Sequence, residues 1–446
     1  MKWFSLQKIN NNPLRHSLLP LAASACLLLA SGCEGNGNSA QVSTNTGSTP
    51  AASAASPAAV QTPAATEAEA TPSPEASVTP DPVSRKLSGM TLEEKIGQML
   101  LVGVQGKTAG AEARKMIAED KVGGIILYSN NVGSLKELVQ LTNALKQSNA
   151  GNPAPLFMSV DQEGGKVSRL PEDYATFPSN AAVGSGDDAT AAGTMGELLG
   201  RAVKSSGFNM DFAPVLDINS NPDNPVIGDR SFGSSAELVT RLGIAEMKGL
   251  ERAGVIPVVK HYPGHGDTSV DSHLELPVIN KTETQLAELE WLPFQAAIRE
   301  KADAVMVAHI LYPKLDPDKP ASLSQVIISQ QLRGQMGYEG VVITDDMTMG
   351  AIIKNYSLPV AAIESVLAGS DILLVAHEYK NEQAVRAALL DSVRNGTISE
   401  ARIDESVYRI LALKDKYQLT DEAVPLPDLA GLNSDIQTWR KPFIRK

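Results

Sequence analysis

The sequence predicts an α/β fold, a single (β/α)8 TIM-type barrel, on three observations. Short apolar runs rich in β-formers alternate eight times with amphipathic stretches of helical spacing. One of them, Gly340-Val341-Val342-Ile343-Thr344, is the pattern of a fully buried strand. Unusual polar residues follow directly on these runs, at the strand ends where such barrels carry their function.

The barrel does not begin at the N-terminus. Lys2, Lys8 and Arg15 form a basic segment, and Leu18 to Ala30 an apolar one. That stretch is too short for an ordinary spanning helix, so it reads as a secretory signal over residues 1–32. It ends in Ala30-Ser31-Gly32-Cys33, which resembles the lipobox of bacterial lipoproteins. There, cleavage leaves a lipidated cysteine as the first mature residue, and Cys33 is the expected lipidation site. Lipid would supply membrane affinity without a spanning helix. The expected location is extracytoplasmic and membrane-anchored. Residues 33–85 are Ala, Ser, Thr, Pro, Gly and Asn with almost no large apolar side chains, a composition that cannot bury a core. This disordered tether of roughly 50 residues would span about 40 Å r.m.s. as a flexible coil.

The catalytic barrel is expected over residues 86–420. Candidate strands are Gln98–Val104, Val122–Tyr128, Pro155–Asp161, Asn209–Val215, Ile256–His261, Ala304–His309, Gly340–Asp345 and Asp371–Ala376. Amphipathic helices are expected at Leu135–Ser148, Ala189–Ser206, Ala236–Ala253, Lys281–Lys301 and Leu358–Ala368, with a closing helix near Glu400–Tyr417. Residues 421–446 read as an irregular tail.

A net charge of −12 argues against a nucleic-acid partner. The two cysteines, Cys26 and Cys33, lie near the N-terminus, so the barrel has neither disulfides nor a thiolate metal site. Of six histidines, only His16 lies away from the strand ends and their loops. His261 and His265 stand four apart like a zinc pair. Pro263 and Gly264 between them forbid the helix that would put both on one face, so no metal and no cofactor are expected. Asp345 and Asp346 end the seventh run. Successive strand residues face opposite ways, so one can meet a substrate while the other faces away or holds the loop. Asp271 precedes His273 by two residues in a polar loop. Such a carboxylate can reach the imidazole, hold its orientation and favour its protonated form.

The segments DQEGGKVSRL, NPVIGDRSFG, KHYPGHGDTSVDSH and GVVITDDMTMGAI follow one another from Asp161 to Ile352. In that order they resemble glycoside hydrolase family 3, in its N-acetyl-β-glucosaminidase branch, over roughly Lys86 to Leu419. The resemblance implies Asp345 as nucleophile, His273 as acid/base and Asp271 as the group that orients it. It implies Asp161, Arg169, Arg230, Lys260 and His261 as sugar contacts. Tyr262 stands where relatives usually have Phe, and Lys166 where many have Arg. The second domain of many members is not expected in this sequence. The usual retaining pair is two carboxyl groups. A histidine in place of one is a departure, and an ordinary imidazole pKa near 6.5 suits proton donation and abstraction near neutrality.

The implied function is a retaining, exo-acting β-N-acetylglucosaminidase (β-N-acetylhexosaminidase) acting on terminal β-linked N-acetylglucosamine, from peptidoglycan fragments or muropeptides. It would work as a monomer through a glycosyl-aspartate. Two other functions fit parts of the sequence. A histidine acid/base repels phosphate less than a carboxylate would, so an N-acetylglucosamine phosphorylase fits the same scaffold. A non-catalytic sugar-binding lipoprotein would not need Asp345 together with the Asp271–His273 pair.

Overall fold

The computed structural model describes residues 81–444. The signal segment, Cys33 and the tether as far as residue 80 lie outside the described residues. Eight parallel strands form one sheet: β1 Leu100–Gly103, β2 Gly124–Leu127, β3 Phe157–Val160, β4 Met210–Asp211, β5 Ile256–Tyr262, β6 Ala304–Val307, β7 Val341–Thr344 and β8 Leu373–Val375. Their order runs from β7 down to β1 and then β8. A bridge between Ile343 and Ile372, with Thr344 N donating to Ile372 O at 3.0 Å, joins β7 to β8 and closes the ring. Nearly every strand residue is buried, because the barrel interior covers one face and helices the other. Each expected strand is present; seven are trimmed at their ends, and β5 runs one residue longer than expected, to Tyr262.

Helices sit between the strands as the periodicity requires. Leu135–Ser148 starts where Ser134 and Glu137 cap each other, Ser134 N donating to Glu137 Oε2 at 2.8 Å. Ala189–Ser205, Ala236–Arg252, Leu358–Ala368 and Glu400–Lys416 match expectation within a residue.

Three boundaries differ. The span Lys281–Lys301 is two helices, Glu283–Glu288 and Trp291–Arg299. Pro293 has no amide to continue a helix and its ring would strike the preceding turn, so the chain restarts and places Pro293 in a first turn. The tail is not irregular throughout: Ala430–Trp439 is helical and buries Leu432 and Ile436, four apart. The ordered chain also starts before Lys86, with a helix Pro82–Ser88 whose first amides, at Val83 and Ser84, donate to Asp81.

Candidate active site

The loop after β3 is a tight turn built on Gly164 and Gly165, at φ of 88° and 54°. It folds back because Gln162 Oε1 accepts from the amides of Arg169 (2.7 Å) and Leu170 (3.2 Å). Asp161, Glu163 and Arg169 thereby reach the same cavity. Lys260, near the end of β5, is buried and lies 2.6 Å from Asp161 Oδ1 and 2.6 Å from Glu163 Oε1. Arg230, from the short turn Gly228–Arg230 after β4, grips Glu163 with two bonds of 2.8 and 2.7 Å. Burial pushes the Glu163 carboxyl up, but the two cations outweigh it and hold it well below the carboxylate range. Burial likewise lowers Lys260, and Asp161 and Glu163 more than restore it. Both cations are therefore fixed in charge and place.

His261 follows Lys260, and both side chains line the cavity. Its Nδ1 lies 2.6 Å from Asp217 Oδ2, on the segment after β4. Asp217 is fully buried and also accepts the amides of His261 (3.2 Å) and His265 (2.7 Å). Burial raises its carboxyl, and the two histidines pull it below its ordinary value. An ionised carboxylate only accepts, so Nδ1 of His261 carries a proton and Nε2 is left toward Arg230, 3.4 Å away. The second histidine, His265, turns its ring nitrogens to Thr268 and Ser272. The two rings meet edge to face at 5.6 Å. Their nitrogens are committed to different partners rather than converging on one point.

The two aspartates at the end of β7 divide as strand geometry requires. Asp346 accepts from Thr348 N (2.9 Å), Thr348 Oγ1 (2.7 Å) and Ala376 N (3.1 Å), and so ties its loop to β8. Among the described residues the carboxylate of Asp345 accepts only the Asp346 amide, at 2.8 Å, and otherwise faces the cavity. Burial pushes it up, but the His309 and His261 rings and that amide outweigh it, so the carboxyl sits below its ordinary value and is ionised at neutral pH. His309 is a buried wall residue, spanning Ser322 Oγ (2.7 Å) and the Asp346 carbonyl (3.0 Å). Burial holds its pKa down.

His273 stands in the loop after β5 with its side chain 65% exposed. Asp271 Oδ1 accepts both its amide (2.9 Å) and Nδ1 (2.8 Å), and Nε2 has no hydrogen-bond partner among the described residues. Asp345, His273, Asp161, Arg169, Arg230, Lys260 and His261 all line one cavity of about 520 Å³, with Asp271 held behind His273. That is a volume proper to small-molecule sites.

Three cavity or support residues escaped the sequence reading of roles, Glu163, Asp217 and Tyr128, while His377 reads from the sequence as a strand-end histidine, either a wall residue or a ligand contact. The first two had a signal, as carboxylates two residues beyond the expected third and fourth strands, which end at Asp161 and Val215. Tyr128 had little: its ring stacks on His377 at 5.5 Å, a contact between the ends of β2 and β8. Its hydroxyl makes no hydrogen bond among the described residues, and burial, then Asp346, Asp161 and Asp345, push its pKa well up.

Comparison with known proteins agrees with this geometry. The family described as "Glycosyl hydrolase family 3 N terminal domain" matches residues 91–413. A β-hexosaminidase A of Pseudoalteromonas piscicida is 36% identical over 335 residues, 69% of this chain and 56% of that protein. A β-hexosaminidase of Stenotrophomonas maltophilia is 34% identical over 295 residues, 65% of this chain and 86% of that protein. A solved family 3 β-N-acetylglucosaminidase from a Paenibacillus strain superposes with a TM-score of 0.75 at 42% identity, over 79% of this chain and 69% of its own. Fold, site and relatives together define a glycoside hydrolase. The chain belongs to glycosyl hydrolase family 3.

Proposed function

We propose that the chain is a retaining, exo-acting β-N-acetylglucosaminidase, with Asp345 as nucleophile and His273 as acid/base. One observation carries this: an ionised Asp345 and the Asp271–His273 pair face a single cavity whose other wall is a fixed set of charges. In the first step Asp345 attacks the anomeric carbon while His273 Nε2 gives a proton to the leaving oxygen. In the second, the same nitrogen takes a proton from water, which releases the sugar and frees Asp345. Asp271 keeps Nε2 toward the reacting bond. Asp161, Arg169, Arg230, Lys260 and His261 bind the sugar, their pairing leaving lone pairs and N–H groups for its hydroxyls and amide. The names of the relatives support N-acetylglucosamine as the sugar.

The finer reading adds a source and a place. A lipidated Cys33 would hold the enzyme outside the membrane, where peptidoglycan fragments are the available substrate. The enzyme would act as a monomer. Product analysis on a muropeptide disaccharide, with and without phosphate, tests the reaction. Free N-acetylglucosamine in both cases is expected. Release that needs phosphate and yields sugar 1-phosphate would make the chain a phosphorylase.

A further inference from the structure

His273 sits in an exposed loop, yet an acid/base must meet the glycosidic oxygen within a fraction of an ångström. Its ring is steadied by Asp271, but the backbone of the loop needs support of its own. That support comes from the nucleophile's side of the barrel. After Asp345, the Asp346 carboxylate fixes Thr348, the Asp346 carbonyl accepts the Met349 amide at 2.9 Å, and the short helix Gly350–Ile353 begins. The first two amides of that helix point at the His273 loop. Gly350 N donates to His273 O at 3.2 Å and Ala351 N to Ser272 O at 3.1 Å. On the opposite side Ser272 Oγ meets His265 Nε2 at 3.1 Å. Within the loop the Asp271 carbonyl accepts the amides of Leu274 (2.9 Å) and Glu275 (3.0 Å), and the Leu274 side chain is 62% exposed at the cavity.

The contact is close because residue 350 has no side chain. A Cβ there would lie 2.6 Å from the His273 carbonyl oxygen and 2.7 Å from that of Leu274, where ordinary contact begins at 3.4 Å. Both are backbone atoms and cannot rotate away. We propose that Gly350 is a positioning residue for acid/base catalysis: its bare backbone is the seat on which the His273 loop docks, so that nucleophile and acid/base are set relative to each other. The inference rests on the reading of His273 as acid/base.

Any side chain at 350 drives the loop outward by most of an ångström while leaving Asp345 on its strand. Misplacement of that size costs about 100-fold when the misplaced group is needed. The test is Gly350→Ala beside His273→Ala, on a β-linked N-acetylglucosamine disaccharide and on a dinitrophenyl N-acetyl-β-glucosaminide. The disaccharide needs its leaving oxygen protonated and the aryl glycoside does not. For G350A, kcat/KM on the disaccharide is expected to fall about 10- to 100-fold. On the aryl glycoside it should change by less than about threefold, while kcat and KM fall together as the step needing a base becomes slow. Azide, which attacks the glycosyl–Asp345 ester without deprotonation and releases the carboxylate, should restore that kcat.

Stoichiometric labelling of Asp345 by a fluorinated donor confirms folding. If G350A does not fold, Ala351→Pro must give the same split; it removes the amide donated to Ser272 in a first helical turn, where proline is tolerated. Equal loss on both substrates, or wild-type rates on both, overturns the proposal. If H273A also shows no leaving-group dependence, the acid/base reading falls and the proposal with it. If H273A shows it and the docking variants do not, the proposal alone fails.

Discussion

Asp345 and Asp346 bring the same chemistry to the barrel mouth one residue apart, and their partners separate their work. Asp346 is saturated by Thr348 and Ala376, whereas Asp345 has one amide and an open face. Asparagine at each position should therefore fail differently. Asp345→Asn removes the charge that the proposed attack requires and is expected to lower kcat by about four orders of magnitude with little change in melting temperature. Asp346→Asn leaves one acceptor where two served. It should cost about 1–3 kcal/mol of stability and keep activity within about tenfold. Melting curves and turnover of an aryl N-acetyl-β-glucosaminide on both variants decide it. An Asp345→Asn enzyme with wild-type turnover would remove the nucleophile assignment.

At the scale of elements, what could be read from the sequence depended on how local the cause was. Strands showed because continuous β-rich runs are the direct mark of burial on both faces. Asp271 and His273 showed because two residues in one loop suffice to make the pair. The charge network did not: Glu163 and Arg230 come from the segments after β3 and β4 and Lys260 from β5 itself, and only closure of the barrel brings them together. Nor did the tail helix, whose apolar face is only Leu432, Ile436 and Trp439. Its role is also long-range. Trp439 packs on Phe177 at 6.2 Å, and the Phe177 carbonyl accepts the Gly165 amide at 3.2 Å, in the turn that carries Asp161 and Arg169. Trp439→Ala is thus expected to cost about 2 kcal/mol and also to raise KM severalfold with kcat nearly unchanged. A stability loss with unaltered KM would confine the helix to packing.

For the whole molecule, opposing buried groups set how stability responds to pH. Burial, with a smaller push from His261, lowers His265 to about 4, from an ordinary 6.5. Between those values the unfolded chain binds a proton that the folded one refuses, so stability falls as pH drops from 6.5 toward 4. Glu382, in the helix Tyr379–Arg394, acts the other way. Both of its oxygens are buried without a hydrogen-bond partner among the described residues. Burial, then Asp120, raise it to about 8 against the pull of Arg386 and Lys115. Here the folded chain keeps a proton that the unfolded one releases above the ordinary value near 4.5, so stability falls as pH rises from 4.5 to 8. The two slopes oppose each other between 4.5 and 6.5, and above that Glu382 acts without His265. Glu382→Gln keeps the shape and removes the titration. Relative to wild type it should be neutral at pH 4.5 and gain stability steadily toward pH 8. Each pKa unit is worth about 1.4 kcal/mol, for a total of a few kcal/mol. Thermal melts of both proteins across that range measure the difference. A constant offset would mean that Glu382 is already ionised in the fold, and that Arg386 and Lys115 outweigh its burial.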